Sequence, residues 1–197
     1  MVLFGVNGAG KSTLLNILST RFRPRKGSYT INGKEAWEDP EWSRNQLISI
    51  GHYSHLYGHL TPVENLQFFA DLRDLQLSEA KIKEAVEAVG LKRFMRRPVR
   101  GFSAGMRKRV ALARVLLASP SLLLLDEPYT ALDVHGVQWL NGILADYLKQ
   151  GGTMIMATHD PDRVAALSHI PMRMSEGKLI ADTLNHGYSE EEELQVC

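Results

Sequence analysis

The sequence predicts an α/β fold: a mostly parallel sheet core with an inserted helical subdomain. Three observations carry this. Met1 to Phe4 is a short apolar run that passes straight into a glycine-rich turn and a helix beginning near Lys11, as a buried strand feeding a helix would. Leu122 to Leu125 and Thr153 to Ala157 are short and predominantly apolar, which suits central strands covered on both faces. Between these two ends, residues 61–100 read as helix.

The elements follow in order. Ser28 to Ile31 alternates like a strand and Asn32-Gly33 marks the turn after it. Ile48 to Ile50 is a further strand closed by Gly51. Thr61, Pro62 and Glu64 form a helix start, with Thr as N-cap, Pro at the first helical position and Glu reaching back. Ser78 is a second N-cap; Ile82, Ala85, Val86 and Val89 then recur at helical spacing until Gly90. A helix over 104–118 should stop at Ser119-Pro120, and one over 134–149 at Gly151-Gly152. Asp160-Pro161 caps the next helix, and Ser189 opens a polar, acidic tail. The expected division is a core of residues 1–60 and 110–184, a helical subdomain of 61–109 and a tail of 185–197.

Composition sets limits. The 197 residues fit one domain, or a core with one insertion. Cys197 is the sole cysteine, which rules out an intrachain disulfide and a cysteine-based metal site. No apolar run approaches the roughly 18 residues of a spanning helix, and residues 1–10 lack the features of a secretory signal. The expected location is therefore cytoplasmic, with any membrane link peripheral. The net charge of +1 says little, but no Asp or Glu occurs between Glu87 and Asp126, where Lys92, Arg93, Arg96, Arg97, Arg100, Arg107, Lys108, Arg109 and Arg114 all fall. Such a run is either a solvated helix face or an anion-facing surface.

The chemistry begins at Gly5-Val6-Asn7-Gly8-Ala9-Gly10-Lys11-Ser12, followed by Thr13. This is a complete phosphate-binding loop, and its four fixed positions arise by chance in under about 1% of chains this long. The glycines let main-chain N–H groups turn inward around phosphates, and the helix adds the positive end of its dipole. Lys11 reaches the β- and γ-phosphates, and the Ser12 hydroxyl binds Mg²⁺. Asp126, closing the apolar run 122–125, can hold the same Mg²⁺. Glu127 points to the other side and can orient or deprotonate an attacking water. ATP and Mg²⁺ are the ligands expected.

Three further pieces narrow the assignment. Phe102-Ser103-Ala104-Gly105-Met106 precedes a helix upstream of Asp126 and resembles the signature motif of ATP-binding-cassette (ABC) proteins. Ala131-Leu132-Asp133 resembles that family's D-loop, and His159, just after the strand 153–157, matches its switch histidine. The order and spacing of the motifs extend over nearly the whole chain. The resemblance implies a P-loop NTPase fold and an ATPase that hydrolyses ATP as a dimer. In such a dimer Ser103, Ala104, Gly105 and Met106 contact the γ-phosphate held by the other subunit, Asp133 serves the D-loop, and Glu127 and His159 are catalytic.

It also implies partners: a second copy or a paired second ATPase subunit, and an integral membrane transporter subunit that selects the cargo, with no nucleic acid. Gly51-His52, the stretch Leu60 to Leu66, Ser103-Ala104-Gly105 and the stretch Tyr129 to Val137 resemble the haem-exporter ATPases of cytochrome c maturation. Gly105 to Arg109 equally resembles ATPases of drug- and lipid-exporting systems. A non-transport ABC ATPase is the remaining alternative.

The sequence departs from the family in three places. No Gln lies near Ile50 to Tyr53, where the family's Q-loop glutamine belongs; His52 takes that place. Met106 stands for the signature Gln and Ala104 for a signature Gly. Finally, only Met1 to Phe4 precede the loop, whereas the family has strands and an adenine-stacking aromatic there. The expectation from the residues given is phosphate recognition without an upstream adenine platform.

Overall fold

The structure, a computed structural model, describes residues 1–51 and 54–181. The Q-loop candidate His52 and the expected acidic tail lie outside the described residues.

Six of the described strands form one sheet. They are β1 (Val2–Phe4), β4 (Leu47–Ile50), β5 (Leu122–Asp126), β6 (Thr153–Ala157), β7 (Pro171–Ser175) and β8 (Lys178–Ala181), in the order β4-β5-β6-β1-β7-β8. Every pairing is parallel except β7 with β8. β2 (Thr30–Ile31) and β3 (Lys34–Glu35) make a separate antiparallel pair. The mostly parallel α/β core is therefore present, with a hairpin edge at one side.

Alternation along the strands distributes the core. Val2, Ile48, Ile50, Leu123, Leu125, Met154 and Met156 face one side of the sheet, under α5 (Ala104–Ala118) and α6 (Val134–Lys149). Leu3, Leu47, Leu122, Leu124 and Ala157 face the other, with Leu15 of α1 (Lys11–Leu18). A third cluster stands apart from the sheet: Leu66 of α3 (Pro62–Asp71), Ile82 and Val86 of α4 (Glu79–Ala88), then Val99 and Phe102.

α5 belongs to two clusters at once. Ala111, Leu112 and Val115 pack on the sheet, while Val110, Ala113 and Leu117 pack on the helical cluster. A helix apolar on two faces is one buried between two bodies. Arg109 of α5 reinforces the join: it donates to the Val89 carbonyl at 3.2 Å and lies 4.2 Å from the ring centre of Trp139 on α6.

Several expectations change. The strand expected from Ser28 shortens to Thr30–Ile31. The helix capped by Asp160 is a single turn, α7 (Pro161–Val164). α2 (Pro40–Gln46), unanticipated, uses the same device: Asp39 accepts from the Trp42 N–H at 3.0 Å and Pro40 opens the helix. The β7–β8 hairpin was not anticipated either. Its turn sits at Glu176-Gly177, both with positive φ, as two-residue hairpin turns require.

Candidate phosphate-binding and catalytic site

The phosphate-binding loop runs from the end of β1 to the start of α1. Two glycines are fixed by geometry. At Gly5 (φ +151°) a Cβ would stand 2.5 Å from the Met174 carbonyl oxygen, so β7 leaves room for nothing larger. Gly10 caps α1 at φ 108° with no side-chain hydrogen bond to the helix, which leaves the first N–H groups of α1 available to an anion. Lys11 is buried, and its ammonium donates to the carbonyls of Gly5 at 2.6 Å and Val6 at 3.1 Å. The cation thus lies within the curve of the loop. A cavity of about 190 Å³ opens between Asn7, Gly8, Lys11 and Ser12 on one side and Asp126 and Glu127 on the other.

The sheet brings the acidic pair and the histidine together. β5 and β6 run parallel with Asp126 opposite Ala157, so the residues that leave the two strands emerge side by side. The Glu127 N–H donates to the Ala157 carbonyl at 2.9 Å, and Glu127 adopts φ 49°. Its carboxylate is largely buried, while the His159 ring is 67% exposed; Nδ1 of His159 stands 2.9 Å from Oε1 of Glu127. A carboxylate only accepts, so Nδ1 carries the hydrogen and Nε2 faces outward. Oε2 of Glu127 accepts from the Thr158 hydroxyl at 3.5 Å. Thr158 is fully buried, and its hydroxyl also accepts from the Asp160 N–H at 3.2 Å.

The signature residues sit elsewhere. Ser103 is the N-cap of α5, its hydroxyl accepting from the Met106 N–H at 3.2 Å. Ala104 is exposed and Met106 lies partly against the helical cluster. At Gly105 a Cβ would come within 3.2 Å of the Ala131 carbonyl, so the signature rests directly on the D-loop. None of these four lines the cavity at Lys11. Asp133 caps α6, accepting from the Gly136 N–H at 2.7 Å.

The basic run divides in two: Lys92, Arg93, Arg96, Arg97 and Arg100 are exposed, as a solvated face would be, whereas the basic residues of α5 turn inward. Lys108, 8% exposed, donates to the carbonyls of Glu127 and Thr130, each at 3.1 Å. Arg107 donates to Phe102, and Arg114 to His55 at 2.9 Å. Arg97 lies over the Phe94 ring at 5.6 Å. Burial pulls the Lys108 ammonium down to about 8, opposed by the negative charge of Glu127. Sequence reasoning missed Lys108 and Thr158 as members of the site. A charged residue between the buried positions of a two-faced helix was the available signal for Lys108.

Residues 1–130 match the family model described as ABC transporter. The chain belongs to the ABC transporter family. It is 43% identical over 155 residues to the cytochrome c biogenesis ATP-binding export protein CcmA of Pseudomonas savastanoi pv. phaseolicola, covering 79% of this chain and 72% of that one. The protein of the same name from Escherichia coli is 40% identical over 161 residues, covering 82% and 76%. Among solved structures, an ATP-binding subunit of an ABC transporter superposes with a TM-score of 0.81 at 28% identity, covering 91% of this chain and 77% of that one. A dimeric ATP-binding cassette in a post-hydrolysis state, bound to ADP and Pi, shares the fold with a TM-score of 0.81 at 23% identity, covering 91% and 84%. The chain is an ATP-binding, ATP-hydrolysing subunit of the ABC family, and its P-loop NTPase fold is the one expected.

Proposed function

We propose that this ABC subunit drives haem export for cytochrome c maturation through a separate membrane subunit. The observation that carries the ATPase part of this reading is the Glu127–His159 pair standing beside the phosphate loop. The loop and the first N–H groups of α1 bind the phosphates, and Lys11 exchanges its contacts to Gly5 and Val6 for the β- and γ-phosphate oxygens. Glu127 accepts a proton from the water that attacks the γ-phosphorus, while the bond to the ADP oxygen breaks. His159 holds the Glu127 carboxylate through Nδ1 and turns Nε2 toward the γ-phosphate.

The residues suit Mg²⁺. The Ser12 hydroxyl and the Asp126 carboxylate offer hard oxygen donors on the same cavity. No group of three or more His, Cys, Asp or Glu among the described residues forms a metal cage. Mg²⁺ characteristically takes one or two protein ligands and completes its shell with water and phosphate. When bound there it would neutralise charge on the phosphates.

The placement of Ser103 to Met106 away from the chain's own loop supports a shared-site dimer, in which their N-cap and glycine face nucleotide across a second copy or a paired second ATPase subunit. Residues 61–109 act as the helical subdomain and 1–60 with 110–184 as the nucleotide-binding core. No helix among the described residues is long and apolar enough to cross a membrane. The location proposed is peripheral, on the cytoplasmic face against an integral membrane partner, which suits the export-protein name of the relatives. Exposed Tyr57, Phe68 and Leu72 offer an apolar patch for that contact.

Haem export is favoured over drug or lipid export because the relatives named above, at about 40% identity, carry the cytochrome c biogenesis name. The test is complementation. In a bacterium lacking its own CcmA, this chain should restore covalent haem on c-type cytochromes and its Lys11→Ala form should not. Expressed and membrane-bound protein with no restored haem staining would contradict the haem assignment.

A further inference from the structure

We propose that Lys108 is a positioning residue for Glu127: its ammonium, reaching out from α5, clasps the two carbonyls that bracket the turn after β5 and so fixes the backbone from which the Glu127 carboxylate projects. The inference rests on the reading of Glu127 as the base.

Three observations support it. First, Lys108 is buried, and both of its carbonyl partners belong to the segment Glu127 to Thr130. A buried ammonium is costly unless its hydrogens are satisfied, and replacing such a group with an apolar one is often neutral for folding. Stability alone therefore does not account for a lysine here. Second, the backbone it holds is strained. Glu127 has φ 49° and Ala131 φ 64°, left-handed conformations that non-glycine residues keep only where surroundings over-determine them. The Glu127 carbonyl takes both the Thr130 N–H, at 3.2 Å, and the Lys108 ammonium. Third, α5 touches the same segment again through Gly105, whose Cα faces the Ala131 carbonyl. Gly105 and Lys108 are three residues apart and share a helix face.

The consequence is mechanical. The tip of α5 carries Ser103 and Gly105, which serve the nucleotide of the other subunit. The next turn of the same rigid helix grips the peptide that aims this chain's own base. A shift of the signature is thereby passed to Glu127 through Lys108, which links the two nucleotide sites of a dimer without a contact between the nucleotides.

The test uses the full chain with Mg²⁺ and ATP. Lys108→Met keeps the length of the side chain and removes the cation; Lys108→Arg keeps a cation. In the Met form ATP affinity should stay within about threefold while kcat falls by about tenfold or more, and the Arg form should recover part of that loss. In a Glu127→Gln background, adding Lys108→Met should change residual turnover by less than about twofold, because the group being positioned is already gone. An unchanged kcat in the Met form, a parallel loss of affinity, or a full further loss in the double variant would overturn the proposal. If the Met form does not fold, Lys108→Gln, which retains an N–H donor, is measured in its place under the same criteria. Normal turnover of Glu127→Gln alone would refute the base reading on its own, independently of any Lys108 variant.

Discussion

His159 and Glu127 meet at 2.9 Å, Nδ1 to Oε1, because β5 and β6 pair in register and end side by side. The imidazole has one nitrogen committed to the carboxylate and one facing solvent, so a single ring aims the base and leaves its second nitrogen open. His159→Ala should leave ATP affinity within a few-fold and slow hydrolysis by about 10²-fold, measured by phosphate release at saturating ATP. Turnover within a factor of two of the native chain would remove His159 from the mechanism.

At Gly5 the contact is backbone against backbone, so no rotamer change can relieve it. A Cβ there meets the Met174 carbonyl at 2.5 Å. Gly5→Ala should separate β7 from the loop, cost roughly 1–3 kcal/mol of folding stability and weaken ATP binding by about tenfold or more. Denaturant melts and ATP titration of the same preparation check both. Unchanged affinity would mean that the loop does not need this approach.

The separation of Ser103 from the Lys11 cavity predicts complementation between damaged chains. A Lys11→Ala chain binds phosphate poorly, and a Ser103→Arg chain cannot present its signature. Mixed, they form one composite site with both defects on the opposite face. The mixture should therefore hydrolyse more ATP than either variant alone. No gain, with mixed dimers demonstrated by pull-down of differently tagged chains, would count against a shared site.

Lys108 predicts an unusual pH dependence of stability. Its folded value, about 8, lies below the ordinary 10.5. Between these the unfolded chain holds a proton that the folded chain has released, so stability attributable to this group rises with pH across the window. The span corresponds to at most about 3 kcal/mol, less to the extent that water reaches the ammonium. Denaturant unfolding at about pH 7.5 and pH 9.5 should show the native chain gaining on Lys108→Met. A constant difference between the two chains would show that Lys108 titrates normally.

What the sequence revealed depended on how local each signal was. α5 and α6 appear over the expected spans because their stops, Ser119-Pro120 and Gly151-Gly152, lie in the chain itself. Asp126, Glu127 and the phosphate loop were legible because their spacing is set by one strand and one turn. The pairing of Glu127 with His159 rests on the register of β5 and β6, a long-range fact that single residues do not express. The hairpin β7–β8 went unread for a related reason: β7 is held by its pairing to β1, and its Met-Arg-Met-Ser alternation is short. Only the α5 part of the basic run misled: charge suggests water, while Lys108, Arg109 and Arg114 each end on a main-chain carbonyl. Long side chains bury their stems and satisfy a helix end or a turn with the head.

The central claim is that Glu127 is the base for ATP hydrolysis, and its most direct measurement is turnover of Glu127→Gln with Mg²⁺ and ATP, alongside ATP affinity. The substitution keeps the size of the side chain and one acceptor oxygen, which can stay with His159, while the proton acceptor is lost. Affinity should be retained, hydrolysis should slow by at least about 10²-fold, and the chain should accumulate as a dimer with nucleotide held between subunits. Near-native turnover by the folded variant would contradict the account.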